Sequence, residues 1–491
     1  MPDEPNRHAQ FVNATSGSTI TINNPATGQL VAEVQSASTA DVDAAVAAAQ
    51  AAFPAWSALT GKQRAVYLRK LGALIETNAD ELGDLEVISI GKAKSGMHLE
   101  NSWAREYVDT AEAVFGDTSL NQPGFLNLSI RQPFGVVGAI IRATHQSKLP
   151  CSFPYPLRSA PAVAAGNCIV LKSSEKTPLQ ALALARLTKE AGFPPGVVNV
   201  LSGDGAIGGH IAGHMDIRKV SFTGSTSTGR RVQAAAANSN LKVVTLELGG
   251  KAPTIVFADA NLKNAVDAVV MSNLVLSGQT CVVSTSRVYV QESLAPTFLE
   301  HLKGSYAGWT QLQGDPTDLK NVLGTVADVS QAERIQEFLD IGKKDGKVAA
   351  GGDRDGAFVH PTIFTDVGDD SKLNREEVFG PVLVFHTFKD EEEAIRRAND
   401  TEYALYASVF TKDIDRAIRV AKRLESGQVG INTASPTLHV DMPFGGWKQS
   451  GYGKGASIAS EELREADSLA EMGRHWVENW CVCRRRAPNA C

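Results

Sequence analysis

Positive charge, cysteine and long apolar runs are all scarce in this chain of 491 residues. Lys and Arg number 48 against 54 Asp and Glu, a formal net charge of −6. Nucleic-acid binders rely on a basic face and anionic membranes attract basic segments, so neither partner is expected. No apolar run approaches the ~20 residues that a membrane span needs. The N-terminus, MPDEPNRHAQF, has no apolar signal core, and its acids disfavour a transit peptide, which makes the cytoplasm the expected compartment. Six cysteines, at 151, 168, 281, 481, 483 and 491, form no disulfide framework and suit a reducing compartment. Cys481-x-Cys483 with Cys491 lacks the CxxC spacing of a zinc site, so no metal is expected.

What is present describes a folded α/β chain. Hydrophobic residues make up 43% and charged residues 21%, as in globular domains. The length exceeds one ordinary core, so roughly two to three domains are expected. NPATGQLVAEVQ (24–35) reads as a turn and a short strand. Residues 38–56 read as an Ala-rich helix behind a Ser/Thr cap, and 61–89 continue as helix. Residues 122–141 change period, with Pro, Gly and alternation that predict a hairpin or extended arm entering a buried strand. From 160 to 260, strands at 168–172, 197–201, 218–222 and 243–248 alternate with helices at 177–192 and 225–237. A second alternating series runs from PTIVF through a helix near 261–276 to QVGIN, and the boundary falls near Leu248-Gly249-Gly250. Such alternation predicts mainly parallel sheets with a ligand crevice at the carboxyl ends of the strands.

Several stretches carry chemistry. Cys281 follows Ser277-Gly278-Gln279-Thr280, small and polar residues that leave room for a substrate beside a thiol. Glu247 lies 281 − 247 = 34 residues upstream. A thiol and a carboxylate brought together suit covalent catalysis followed by hydrolysis, although an isolated cysteine is more often a buried small hydrophobe. VSFTGSTSTGR (220–230) is a strand, a Gly-containing turn and a helix start, where free N–H groups and the helix dipole suit a pyrophosphate. Strand–Gly–helix turns are also common as plain structure. VLKSSEKTP (170–178) places Lys172 and Glu175 just past a strand end; the carboxylate there can accept from ribose hydroxyls and would repel a 2′-phosphate, or the pair is a solvated turn. REEVFGPVLVF and MPFGGWKQSGYG are Gly/Pro/aromatic loops that either clamp a ring or pack.

Together, NPATG, GVVGAII, APAVAAGNCIVLKSSEKTP, KEAGFPPGVVNVL, SFTGST, LELGGKAP, GQTC, EEVFGP and PFGGWKQSGYGK, in this order over residues 24 to 454, resemble the NAD(P)-dependent aldehyde dehydrogenase superfamily. The resemblance implies a Rossmann-type cofactor domain, an α/β catalytic domain and a β-hairpin oligomerisation arm. The implied boundaries are 1–121 and 139–248 for the cofactor domain, 249–440 for the catalytic domain, and 122–138 with 455–491 for the arm and an atypical tail. Cys281 corresponds to the nucleophile and Glu247 to the general base. Lys172 and Glu175 would hold the adenosine ribose, which favours NAD over NADP, and Ser174 between them would also bind the cofactor. Gly224, Ser225 and Gly229 would border the pyrophosphate, Leu248 would also bind the cofactor, and Glu377 with Phe379 would position the nicotinamide ribose and ring. A small aldehyde is the implied substrate, and a homodimer or homotetramer the implied assembly. The substrate pocket is expected near Trp103, Phe153 and the loop 433–441.

Two departures stand out. The family's strand GVVGAII normally runs into a Pro-Trp-Asn-aromatic-Pro turn whose Asn helps form the oxyanion hole. Here no Asn occurs between Ile141 and Asn167, and the nearest local analogue is Ser152. Beyond GYGK, residues 455–470 intervene before a helix-like EMGRHWVENW, and CVCRRRAPNAC does not look like a closing strand. Family-like sequence thus stops and resumes abruptly at 142–151, at 455–470 and after Trp480, the pattern expected of retained introns or a shifted frame. The expected function is NAD-dependent oxidation of an aldehyde to the acid. The alternatives are a thiol esterase using Cys281 and Glu247 without redox, and a catalytically impaired oligomeric paralogue that binds NAD.

Overall fold

The computed structural model describes residues 11–96, 118–119, 121, 127–128, 132–141, 160–274, 284–435, 443–454, 464–465 and 481–483. Cys281, Ser152, the stretch 142–151, Trp103, Phe153 and residues 436–441 lie outside the described residues.

The chain opens with β1 (Thr19–Asn23) antiparallel to β2 (Leu30–Gln35). Asn24 builds the turn between them: its side chain accepts from Ala26 N–H at 2.9 Å, and its carbonyl accepts from Gly28 N–H at 2.7 Å. Helix α1 (Thr39–Ser57) starts at a capping box formed by Ser38 and Asp41. Helix α2 (Gly61–Thr77) repeats the device with Thr60 and Gln63. The expected continuous helix over 61–89 is two helices. Asn78 leaves helical geometry at φ −102° and ψ 20°, and its side chain donates to Leu74 O at 2.7 Å, which ends α2. Helix α3 (Ala79–Ile90) restarts there and stops at Gly91, whose φ of 69° is the left-handed value of a helix end.

Strands β3 (Val136–Ile140) and β4 (Cys168–Lys172), helix α4 (Pro178–Glu190), β5 (Val198–Leu201), α5 (Gly205–Gly213), β6 (Lys219–Thr223), α6 (Thr226–Ala237) and β7 (Val243–Glu247) form the first α/β unit. Its five strands are parallel in the order β5-β4-β3-β6-β7. The chain starts at the centre, builds to one edge, then returns to build the other. The crevice of a doubly wound sheet lies where that direction changes, here between β3 and β6. VVGAI and CIVLK are buried at every position, as expected where both sheet faces are covered. Trp56, Leu68, Ile75, Leu184 and Val220 are core residues packed around these strands, and the Trp56 indole N–H is satisfied by Val163 O at 3.0 Å. Full burial of each such aliphatic side chain contributes about 1.5–3 kcal/mol.

The second unit begins five residues after Glu247. It runs through β8 (Ala252–Val256), α7 (Leu262–Leu274), β9 (Thr285–Gln291), α8 (Ala295–Thr310), α9 (Val329–Asp345), β10 (Lys347–Ala350), β11 (Thr362–Thr365), β12 (Val382–Phe388), α10 (Glu391–Asn399), β13 (Tyr406–Phe410), α11 (Ile414–Ala421) and β14 (Gln428–Ile431). The sheet order is β10-β11-β12-β9-β8-β13-β14, parallel except for β10. A buried cation braces it: Arg287 donates to Lys251 O at 3.0 Å, Arg397 O at 3.2 Å and Ala398 O at 2.9 Å. The last two are carbonyls of the final turn of α10, where orphan acceptors and the dipole favour a positive charge.

The last strands return to both sheets. Strand β15 (Gly451–Tyr452) pairs antiparallel with β7 and gives the first sheet a sixth strand. Strand β16 (Cys481–Cys483) pairs in parallel with β14 and makes the second sheet eight-stranded. The tail was expected not to supply a closing strand, yet the β-branched Val482 and its two neighbours add to that edge. In the arm region, Thr118–Ser119 pair antiparallel with Asn127–Leu128, and Gln132–Pro133 pair antiparallel with Arg464–Glu465. Residues 464–465 belong to the stretch 455–470 that was expected to interrupt the family-like sequence. Strands β1, β10 and β11 and helices α5, α8 and α9 were not foreseen. The signal for α9 was present: Asp328 caps it, with buried Ala332, Ile335, Phe338 and Leu339 at helical spacing.

Candidate active site

The carboxyl ends of β6 and β7 meet at two short turns. After β6, Gly224 N–H donates to Glu247 O at 3.0 Å, which ties the Gly-containing turn to the end of β7. A Cβ on Gly224 would clash with the Phe222 ring. Ser225 caps α6, its Oγ accepting from Thr228 N–H at 3.3 Å. The N–H groups of Thr226 and Ser227 stand in the first turn, where no intrahelical acceptor exists, and they point with the helix dipole toward any anion placed there. Gly229 lies one turn further on, and a Cβ there would come within 2.6 Å of Leu248 Cδ2. Leu248 therefore packs under the first turn of α6, while its N–H donates to Ser450 O at 2.9 Å.

Glu247 is the last residue of β7 and is only 5% exposed. Gly451 stands opposite it on β15, in backbone conformation with φ 108° that favours glycine. Ser450 locks this corner, donating Oγ–H to Gly249 O at 2.6 Å and accepting from Ala404 N–H at 2.8 Å. Across the same turn, Gly250 N–H donates to Glu377 Oε1 at 3.3 Å. A Cβ on Gly249 would lie 2.7 Å from Glu377 Oε2, so the glycine pair is what lets this carboxylate reach the backbone after Glu247.

Phe379 sits two residues beyond Glu377 with φ 61°, a strained value for a bulky residue. Gln331 of α9 holds the strain in place by donating to Phe379 O at 2.7 Å. Gly250, Lys251, Ser286, Glu377, Phe379 and Gly380 line a small cavity with Val378 and Val382. Burial, and then Arg287, push the Lys251 ammonium down to about 7 against the opposing pull of Glu377 and Glu376.

Lys172 ends β4, and Ser174 and Glu175 follow in its loop. Lys172 and Ser174 are buried, whereas Glu175 is exposed and accepts from Lys172 Nζ at 3.4 Å. Burial, offset by Glu175, lowers the Lys172 pKa. Strands β4 and β6 are separated by β3 alone, so their carboxyl ends lie about 10 Å apart on one sheet edge. That edge thus carries an exposed carboxylate and a buried lysine at one station and a helix N-terminus at the next. A dinucleotide needs this donor set: an acceptor for ribose hydroxyls, then N–H groups for a pyrophosphate.

The structure therefore brings Gly224, Ser225, Gly229, Glu247, Leu248, Glu377 and Phe379 to one corner, with Lys172, Ser174 and Glu175 along the same edge. Lys251 and Ser450 join them without having been singled out, although both lie within motifs quoted from the sequence. Asn167, which ends the Asn-free stretch, is fully buried and committed elsewhere: its Oδ1 accepts from Gly135 N–H at 3.2 Å and its Nδ2 donates to Ala162 O at 3.0 Å. It is no substitute for the missing oxyanion donor. No helix among the described residues is long and apolar enough to cross a membrane.

Fold and site define a doubly wound α/β protein whose strand ends carry a donor set suited to a dinucleotide beside a buried carboxylate. The model of the Aldehyde dehydrogenase family matches residues 11–466. An aldehyde dehydrogenase of Emericella nidulans is 43% identical over 458 residues, 91% of this chain and 90% of that protein. Aldehyde dehydrogenase 1 of Tanacetum cinerariifolium is 40% identical over 467 residues, 93% of this chain and 92% of that protein. Among solved structures, the aldehyde dehydrogenase KauB from Pseudomonas aeruginosa superposes with a TM-score of 0.88 at 36% identity, covering 93% of this chain and 94% of that one. PnpE in complex with nicotinamide adenine dinucleotide gives a TM-score of 0.87 at 36% identity over the same shares. The chain belongs to the aldehyde dehydrogenase family, whose members oxidise aldehydes with NAD or NADP.

Proposed function

We propose that this protein oxidises an aldehyde to the carboxylic acid with NAD, through a thioester on Cys281. The observation that carries the reading is the corner itself: a buried carboxylate, Glu247, hydrogen-bonded through its own backbone to the turn that opens α6, with Glu377 drawn onto the next turn. A bound nicotinamide dinucleotide supplies the two-electron acceptor for hydride. The Cys281 thiolate forms a C–S bond to the aldehyde carbon, and the carbonyl oxygen takes the negative charge as an alkoxide. Loss of hydride from that carbon restores the C=O bond as a thioester. Glu247 takes a proton from water, the resulting hydroxide adds to the thioester carbon, the C–S bond breaks and the acid leaves. The side chain at the end of a rigid parallel strand holds this base in a fixed place. Glu175, exposed and negative, accepts ribose hydroxyls and opposes a 2′-phosphate, which supports NAD over NADP. The division into a cofactor part (1–121 and 139–248), a catalytic part (249–440) and an oligomerising element (122–138 and 455–491) belongs to the same proposal. Its support is that the two sheets part between Glu247 and Ala252.

The test is NADH formation with a panel of aliphatic and aromatic aldehydes, run beside Cys281→Ala and Glu247→Gln. The wild type is expected to turn over and Cys281→Ala to be silent. Glu247→Gln is expected to release about one NADH per active site and then stall as the acyl-enzyme. Turnover that persists in Cys281→Ala overturns the mechanism, and Cys281-dependent hydrolysis of a p-nitrophenyl ester with no NADH formed from any aldehyde returns the esterase reading. Mass and light scattering of the purified chain read the proposed dimer or tetramer.

A further inference from the structure

On the far side of α5 from the cofactor edge, three side chains converge whose chemistry the aldehyde reaction does not use. His210 lies on α5 and His214 follows four residues later at its C-cap, so both rings leave the same face. Asp43 reaches them from α1. His210 Nε2 lies 2.6 Å from Asp43 Oδ1, and His214 Nε2 lies 3.4 Å from the same oxygen. The three ligand atoms fall within 4.8 Å of one another. Ligands of one tetrahedral ion at about 2.0–2.1 Å stand roughly 3.3 Å apart, so small side-chain rotations suffice to seat one. The two rings are already edge to face, with centroids 5.7 Å apart, which keeps both nitrogens turned toward the carboxylate.

We propose that Asp43, His210 and His214 form a binding site for a divalent transition-metal ion that staples α1 to α5. Two imidazoles and one carboxylate are a borderline-soft set, which selects Zn²⁺, Co²⁺, Ni²⁺ or Cu²⁺ over Mg²⁺ and Ca²⁺. Three protein ligands leave the fourth position to water, and Asp43 is the exposed member, so an ion enters from solvent. One contact opposes binding. His214 Nδ1 accepts from Asp216 N–H at 3.1 Å, which places the proton of the neutral ring on Nε2. Seating a metal on Nε2 moves that proton to Nδ1 and gives up the Asp216 bond. The site therefore binds more weakly than a closed four-ligand zinc site and fills only when the metal is supplied. Its effect reaches the cofactor edge through α5: the face of this helix opposite the histidines meets β3 and β4 at Gly208, where an added Cβ would lie 3.4 Å from Ile140 and 3.9 Å from Lys172 Cδ.

The experiment titrates the full-length protein with Co²⁺, in the Cys281→Ala background so that a reactive thiol does not compete. Visible d–d bands of a four- or five-coordinate site are expected, without the near-ultraviolet thiolate charge transfer that cysteine ligation gives. The melting temperature is expected to rise with Co²⁺ concentration. Loss of outer-shell partners alone costs metal sites roughly 10–100-fold, so His210→Gln with His214→Gln is expected to weaken binding by at least ~10-fold. Without metal the double variant is expected to melt as the parent does, which separates ligand loss from misfolding. Asp216→Pro, which removes the opposing N–H, is expected to tighten binding. Equal Co²⁺ binding by the parent and the double variant, thiolate charge transfer, or no binding by the parent each overturns the proposal.

Discussion

Glu377 accepts a hydrogen bond from Gly250 N–H at 3.3 Å, although 127 residues separate the two in the chain. The bond links the turn after Glu247 to the strained loop that carries Phe379. Replacing Glu377 by Ala removes it and unties the turn after Glu247 from the loop that carries Phe379. Hydride transfer to NAD is expected to slow by roughly 10–100-fold, the cost of misplacing reacting groups by about an ångström. Stopped-flow NADH formation checks this, with NAD affinity falling far less than the rate. Unchanged transfer would remove Glu377 from the positioning machinery.

Gly229 and Leu248 form a second pair open to a double-mutant test. Gly229→Val puts branched carbon where Leu248 Cδ2 stands 2.6 Å from an added Cβ. Overpacking of this kind costs typically 1–3 kcal/mol, read as a lower denaturation midpoint at unchanged m. Leu248→Ala beside it is expected to recover much of the loss. Additive effects would mean that the two residues do not share this space.

His386 gives a pH signature. Its ring stacks on Tyr289 with centroids 5.0 Å apart and planes at 14°, its Nε2–H donates to Asn374 Oδ1 at 3.0 Å, and its Nδ1 accepts from Arg397 Nη2 at 3.2 Å. Burial, then the charge of Arg397, lower its pKa from 6.5 to about 3. Between those values the unfolded chain holds a proton that the native state refuses, so stability is full above pH 6.5 and falls as pH drops toward 3. The group accounts for at most about 5 kcal/mol of that decline. His386→Asn is expected to flatten the acid limb of stability against pH. An identical slope in the variant would place acid sensitivity elsewhere.

The sequence lacks, between Ile141 and Asn167, the Asn with which the family completes its oxyanion hole. With Asn167 committed to Gly135 and Ala162, Ser152 is the nearest local analogue in the sequence. Loss of one such donor costs about 10²–10³ in kcat in a well-studied hydrolase. Ser152→Asn is therefore expected to raise kcat with little change in KM. A kcat that does not move would show that another group already fills the role.

Much of this was legible in the residues. The cap at Ser38, the buried runs VVGAI and CIVLK, and the strand–turn–helix at 219–226 follow from local chemistry that acts over a few residues. The order of motifs placed Glu247, Glu377 and Phe379 in one expected site, and the fold brings the three to one corner. What the residues did not disclose was contact across distance. Nothing around Gly250 signals that its N–H meets a carboxylate 127 positions away, and nothing in EEVFGP signals the left-handed backbone of Phe379. The break at Asn78 was readable, because an Asn before Ala-Asp competes for helix-end carbonyls, but the unbroken apolar spacing on either side outweighed it. The strand at Cys481–Cys483 was masked by its short length and by the arginines that follow.

Strand β15 carries a consequence for synthesis. It completes the edge of a sheet whose previous strand ended at Glu247, so 451 − 247 = 204 residues separate that edge from its cover. At roughly 5–20 residues per second, the ribosome takes about 10–40 s to deliver it. Through that interval Leu246 and Glu247 lack their partners Tyr452 and Gly451 on the outer side of β7, and an unpaired edge is the kind that recruits other chains. The nascent protein thus passes through a stage, set by gene order, in which a holdase chaperone covering that edge would stand in for a strand not yet made.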